Sequence, residues 1–139
     1  MNDGLLDTNI IIHARSGDEH SLECREFLRQ LHGGRIQVQV DSLIVHELTY
    51  ALPRYVKQLG RKDVAAYLIS IIEWPGVIAN KALLVEALTR WGNTPGLGFV
   101  DAYLATRARI EDRPVYTKNV RELASCGAVV PDPLLSQIY

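Results

Sequence analysis

Two rhythms of hydrophobic and polar positions take turns along this chain. Leu5 and Leu6 lead into the polar trio Asp7-Thr8-Asn9, and the apolar Ile10, Ile11 and Ile12 follow. A short apolar run so near the start predicts a buried strand that ends at Asp7. Gly17-Asp18 breaks the pattern. Residues 19–32 then read as a helix, with Leu22, Phe27, Leu28 and Leu31 predicted to be buried and Gly33-Gly34 to stop it. Residues 35–40 alternate strictly. Ile36, Val38 and Val40 share one face and Arg35, Gln37 and Gln39 the other, which predicts a half-exposed strand at a sheet edge.

Asp41-Ser42 is a cap for the next helix, which carries Leu43, Ile44, His46, Glu47, Leu48 and Ala51. Pro53 predicts a kink or break, with helical character resuming at Tyr55 and Val56. Beyond Gly60, residues 61–73 repeat Val64, Leu68, Ile71 and Ile72 at helical spacing. Trp74-Pro75-Gly76 reads as a turn and Val77-Ile78-Ala79 as a strand. Asn80 caps a helix over 81–91, and residues 92–98 form a loop. A helix runs from Phe99 to Ile110 with Asp101 in its first turn. Residues 114–117 read as a strand, Asn119 to Ala124 as a short helix, and Val129-Val130 as a last strand. This alternation predicts an α/β, three-layer fold: a central, mostly parallel sheet of four to five strands flanked by helices. Such folds bind ligands at the carboxyl ends of their strands. Asp7 and the run Thr117-Lys118-Asn119 fall there, and the helices bearing Glu47 and Asp101 can point to the same edge.

A length of 139 residues predicts one domain, 1–139. With 47% hydrophobic and 22% charged residues the composition is that of an ordinary globular chain. The net charge of −1 does not advertise nucleic acid, but a cation neutralising Asp7, Glu47 and Asp101 would leave a mildly basic remainder. Cys24 and Cys126 form no CxxC pattern, which argues against a zinc site or disulfide scaffold and fits a reducing cytoplasm. No signal peptide and no membrane span is expected.

An acid at the end of a buried strand is costly unless something pairs with it. A bound cation is one solution for Asp7, and capping of the following helical turn is the plainer one. Glu47 alone reads as an exposed helix residue in an ion pair, and the macrodipole would favour Asp101 in a first turn anyway. His46 has no second His or Cys at ligand spacing, so zinc is not expected. His13, His20 and His32 read as surface or packing residues, and Trp74 and Trp91 as core. Only the joint occurrence of Asp7, Glu47 and Asp101 points to a shared site.

Four pieces stand in order: Leu-Leu-Asp-Thr-Asn at 5–9, His-Glu-Leu at 46–48, Phe-Val-Asp-Ala at 99–102 and Val-Tyr-Thr-Lys-Asn at 115–119. With them the chain resembles a PIN domain, most closely the single-domain toxins of the VapC type, over essentially its whole length. The resemblance implies a Mg2+- or Mn2+-dependent endoribonuclease, the toxin of a type II toxin–antitoxin pair, that hydrolyses RNA phosphodiesters by metal-activated water. It implies Asp7 and Asp101 as principal metal ligands, with Glu47 joining directly or through water. Thr8 and Asn9 would orient Asp7 and shape the pocket, and Thr117 and Lys118 would flank the fourth catalytic position. That position is often an aspartate; here it is Asn119, which keeps a carbonyl oxygen and loses the charge. One metal ion or two therefore stays open, with Glu122 as a candidate accessory acid. Lys118, Arg121 and Arg15 are candidate phosphate contacts. The resemblance also implies a cytoplasmic homodimer held inactive by a small antitoxin. Apolar residues to spare over 42–73, among them Leu52, Tyr55, Val56 and Leu59, would serve a partner surface or the chain's own core. Alternatives are a PIN nuclease of RNA processing or decay, and a catalytically degenerate PIN binding module, which Asn119 favours. A phosphatase of the haloacid dehalogenase type is disfavoured, because Asn9 stands where that chemistry needs a second aspartate.

Overall fold

A computed structural model describes residues 3–57 and 59–136, so both ends of the expected 1–139 domain lie outside the described residues. Its sheet is parallel, in the order β1 (Gly4–Leu5), β2 (Val38–Gln39), β3 (Val77–Ile78). Gly4 lies opposite Val38, and Val38 opposite Val77. Parallel neighbours need crossovers, and helices supply them. Helices α1 (Thr8–Ser16) and α2 (Ser21–His32) join β1 to β2, and α3 (Ser42–Tyr55) and α4 (Arg61–Ile72) join β2 to β3. Helices α5 (Lys81–Asn93), α6 (Phe99–Glu111) and α7 (Val120–Ser125) follow. The result is an α/β fold, a parallel sheet flanked by helices. No helix among the described residues is long and apolar enough to cross a membrane.

Side chains alternate along each strand. Leu6, Val38, Val40 and Val77 enter the core, while Leu5, Gln39 and Ile78 face water. Leu5 is 84% exposed, so the first apolar run is buried only in part. The polar face of β2 does not mark an edge, as the alternation predicts; β2 is the central strand, and its glutamines lie on an open side of the sheet. The sheet has three strands among the described residues rather than four to five. Residues 114–117 and Val129-Val130 do not form strands: among the described residues a single backbone bond joins them, from Val115 N–H to the Val129 carbonyl at 2.9 Å.

A left-handed glycine ends α1, while backbone bonds close other helices. Ile10, Ile11 and Ile12 continue into α1, which Gly17 stops at φ +75°. The link to α2 folds around Asp18, whose carboxylate meets His13 Nδ1 at 2.6 Å and accepts from Ser16 at 2.8 Å. These contacts hold its carboxyl at about 2. In α2 the buried positions are Ser21, Cys24, Leu28 and Leu31, a single stripe. Leu22 lies about 100° off that stripe and is exposed, against the expectation. Pro53 does not break α3 either. It sits in the last turn, and Val56 N–H donates to the Leu52 carbonyl at 2.8 Å to close the helix. Leu52 is fully buried, so it serves the chain's own core, while Tyr55 stays exposed.

Three further contacts position the framework. Helix α5 packs closely on α4, where a Cβ added at Gly92 would come within 2.7 Å of Ala65 Cβ. Arg61 lies over the Trp91 ring at 4.6 Å and donates to the Trp91 carbonyl at 2.9 Å, fastening the exit of α5. Gly76 sits where α2, β2 and β3 meet. Its N–H donates to the Leu31 carbonyl at 2.9 Å, and its own carbonyl accepts from Val38 N–H at 2.9 Å. No side chain fits there, because a Cβ would lie 2.4 Å from the Leu31 carbonyl oxygen and 2.5 Å from that of Ile36.

Candidate active site

The turn after β1 places Asp7 at the N-cap of α1, with extended backbone, φ −93° and ψ 149°. Its side chain makes no capping hydrogen bond. Asp41 and Asn80, in equivalent positions, do cap: they accept from Leu43 N–H at 3.1 Å and Leu83 N–H at 3.4 Å. The exposed Asp7 carboxylate instead accepts from the Thr8 hydroxyl at 3.2 Å. Thr8 is buried between α1 and α3, and its hydroxyl also stands 3.5 Å from Glu47 Oε1. A hydroxyl carries one proton, so Thr8 can donate to one of these carboxylates at a time. The packing of α1 on α3 thus brings Asp7 and Glu47 to one hydroxyl across a separation of 39 residues.

A second pair forms from later segments. Asp101 occupies the first turn of α6 and is half-buried. The Asn119 side-chain amide donates to Asp101 Oδ2 at 3.4 Å. Thr117 Oγ1 accepts from Asn119 N–H at 2.9 Å, which fixes Asn119 at the start of α7. Lys118 turns outward to Asp132 at 3.4 Å in an exposed ion pair. Asn9, Arg121 and Glu122 are exposed. Among the described residues, no hydrogen bond links Asn9, Arg121 or Glu122 to the three acids.

The predicted site residues are therefore gathered as two pairs, Asp7 with Glu47 around Thr8, and Asp101 with the amide of Asn119. Among the described residues no three His, Cys, Asp or Glu side chains stand together as a group able to hold a metal ion. In kind, however, the donors suit a hard divalent cation, which takes oxygen ligands. Asp7, Glu47 and Asp101 form no ion pair with Lys, Arg or His among the described residues. Carboxylates left without a positive partner favour a bound cation.

His46, next to Glu47, is a packing residue: its ring lies edge-on to Tyr50 at 5.2 Å and stacked on Phe99 at 6.0 Å. Its Nδ1 is buried without a hydrogen-bond partner. Trp91 is buried as expected, whereas Trp74 is half-buried at the surface, edge-on to His32. A cavity of about 430 Å³ opens on the uncovered side of the sheet, lined by Leu5, Gln39, Leu43 and Ile78, and includes none of the acids. What sequence reasoning missed are the contacts of Thr8 with Glu47 and of Asn119 with Asp101. Each spans distant segments and leaves no local signal.

Comparison with known proteins adds one match. The family model described as PIN domain covers residues 4–124. No curated protein and no solved structure matches the chain.

Proposed function

Since the chain belongs to the PIN-domain family, whose members are generally metal-dependent nucleases, we propose that it is a Mg2+- or Mn2+-dependent endoribonuclease, the VapC-type toxin of a type II toxin–antitoxin pair. The observation that supports this best is Asp7. It stands in a capping position, does not cap, and shares a buried hydroxyl with Glu47, while among the described residues both acids lack a positive partner. Asp7, Asp101 and Glu47 would hold the cation, which when bound supplies activation of water and neutralisation of charge on the phosphate. Thr8 orients the Asp7 carboxylate and keeps it beside Glu47. Asn119 steers the Asp101 carboxylate with its amide, and Thr117 fixes Asn119. Asn9 and Lys118 line the way in for an RNA phosphate, and Glu122 on α7 is the accessory acid. The domain takes up residues 1–139. In this reading the protein is cytoplasmic and homodimeric, and a small antitoxin covers the acids.

The spread of the acids into two pairs, with an amide at Asn119, favours a second reading: a degenerate PIN module that binds RNA without cutting it. A cleavage assay decides. Purified protein with labelled single-stranded RNA is expected to cut with millimolar Mg2+ or Mn2+, to stop in excess EDTA, and to recover when metal is restored. Binding without cleavage in either metal establishes the degenerate module. Cleavage that survives EDTA overturns the metal assignment. For the toxin role, expression alone is expected to arrest growth, and co-expression of the adjacent small gene to relieve it.

A further inference from the structure

Beyond the acids, three exposed arginines line one cavity. A cavity of about 280 Å³ opens between α1, α2 and α4, lined by Arg15, Arg25, Arg29, His32, Tyr67 and Trp74. No carboxylate lines it. Arg25 and Arg29 stand four residues apart on α2, so like charges share one helix face, an arrangement that costs stability. Arg29 is bonded to Glu26. Among the described residues neither Arg15 nor Arg25 forms an ion pair with a carboxylate. The guanidinium carbon of Arg15 lies over the Tyr67 ring, 4.7 Å from its centroid. Burial pushes the Tyr67 hydroxyl up, and Arg15 offsets part of that rise. Trp74, half-buried and edge-on to His32 at 5.4 Å, gives the groove a second aromatic wall.

Arg15 and Arg25, with no carboxylate partner among the described residues, call for an anion from outside the chain, and guanidinium edges match phosphate oxygens. Positive grooves with aromatic walls suit single-stranded nucleic acid, whose bases stack while its phosphates are held. The position agrees. Asp7 begins α1 and Arg15 lies in its last turn, eight residues on, or about 12 Å along the helix. Building on the nuclease reading, we infer that this groove is a second RNA-binding site, in which Arg15 and Arg25 hold phosphates of a single strand whose scissile bond lies at the acids.

Fluorescence anisotropy with a fluorescein-labelled single-stranded oligoribonucleotide tests this. Excess EDTA in the buffer keeps binding separate from cleavage. Arg15→Ala with Arg25→Ala is expected to raise Kd about ten-fold at low salt. It is also expected to reduce the slope of log Kd against log salt by about 1.4, the loss of two single-strand phosphate contacts. Arg25 is exposed, so Arg25→Ala alone gives half of that slope change without touching packing. Arg15→Lys keeps the charge and loses the planar fork of donors, and is expected to weaken binding less than Arg15→Ala. Unchanged affinity and slope in the double variant, with wild type binding, overturn the groove and leave the nuclease reading intact. Arginine-dependent binding by a wild-type protein that never cleaves keeps the groove and defeats the nuclease reading. A groove that holds poly-glutamate through the same arginines while RNA binding stays unaltered is a site for acidic peptides, and the inference fails.

Discussion

Asp101→Asn, and equally Asp7→Asn, is expected to reduce RNA cleavage by roughly 10³-fold while the protein stays folded. A divalent cation stabilises charge on a phosphate by several kcal/mol. At about 1.4 kcal/mol per decade of rate, losing a charged ligand removes about three decades. The fold should not suffer. Asp7 makes no capping bond, and its carboxylate accepts from the Thr8 hydroxyl. Asp101 is met by the Asn119 amide at 3.4 Å, a long contact that an asparagine can replace with its carbonyl oxygen. Removing one of several unneutralised carboxylates also relieves repulsion, so the Tm in EDTA should hold or rise slightly. Single-turnover cleavage at saturating Mg2+, with a thermal melt of each variant, checks both halves. An Asp101→Asn protein that cuts as fast as wild type rules the site out.

Gly76→Ala is expected to destabilise the fold by about 3–5 kcal/mol, from overpacking and from two disturbed backbone hydrogen bonds. The added Cβ would meet the carbonyl oxygens of Leu31 and Ile36 at 2.4 and 2.5 Å. Both are backbone atoms, one at the end of α2 and one at the entry to β2, so neither can swing away as a side-chain tip would. Shifting Gly76 instead disturbs its bonds to Leu31 and Val38. For a chain of this size the loss corresponds to a Tm lower by about 10–20 °C. Gly33→Ala is the control: its Cβ would meet the nearest atom, the Arg29 carbonyl oxygen, at 3.6 Å, an ordinary contact, and its melt should barely move. Thermal unfolding followed by circular dichroism distinguishes them. Equal melts for the two variants would mean that α2 and β2 do not approach Gly76 in this way.

The features legible in the sequence were those set by near neighbours. Asp41 and Asn80 announce helix starts because the N–H groups they accept from are two and three residues away. Helix α4 is readable because Val64, Leu68, Ile71 and Ile72 repeat on one face, and all four are buried. Asp7 looks like Asp41 in its local context, yet it does not cap. The difference lies in Thr8 and in the approach of α3, which no local window contains. Gln37 and Gln39 say correctly that one side of β2 meets water. They cannot say whether that side is a sheet edge or an uncovered face, since both leave the same alternation. Leu22 is hydrophobic yet exposed, because the stripe of α2 that packs runs through the small residues Ser21 and Cys24. For the candidate site, the residue types were readable, but the division into two pairs depends on how far α6 and α7 sit from α1.

With two residues in each strand, the sheet provides only a few ladder bonds to keep the turn bearing Asp7 level with the start of α3. The rim is held chiefly by the bodies behind it: α2 pressed against Gly76, and α4 locked to α5 through Gly92 and Arg61. Tuning this protein need not mean touching its acids. If the acids hold a cation as proposed, a looser fit between α4 and α5 would shift α3 and α6, which pack on them and carry Glu47 and Asp101, and weaken that grip while every ligand stays in place.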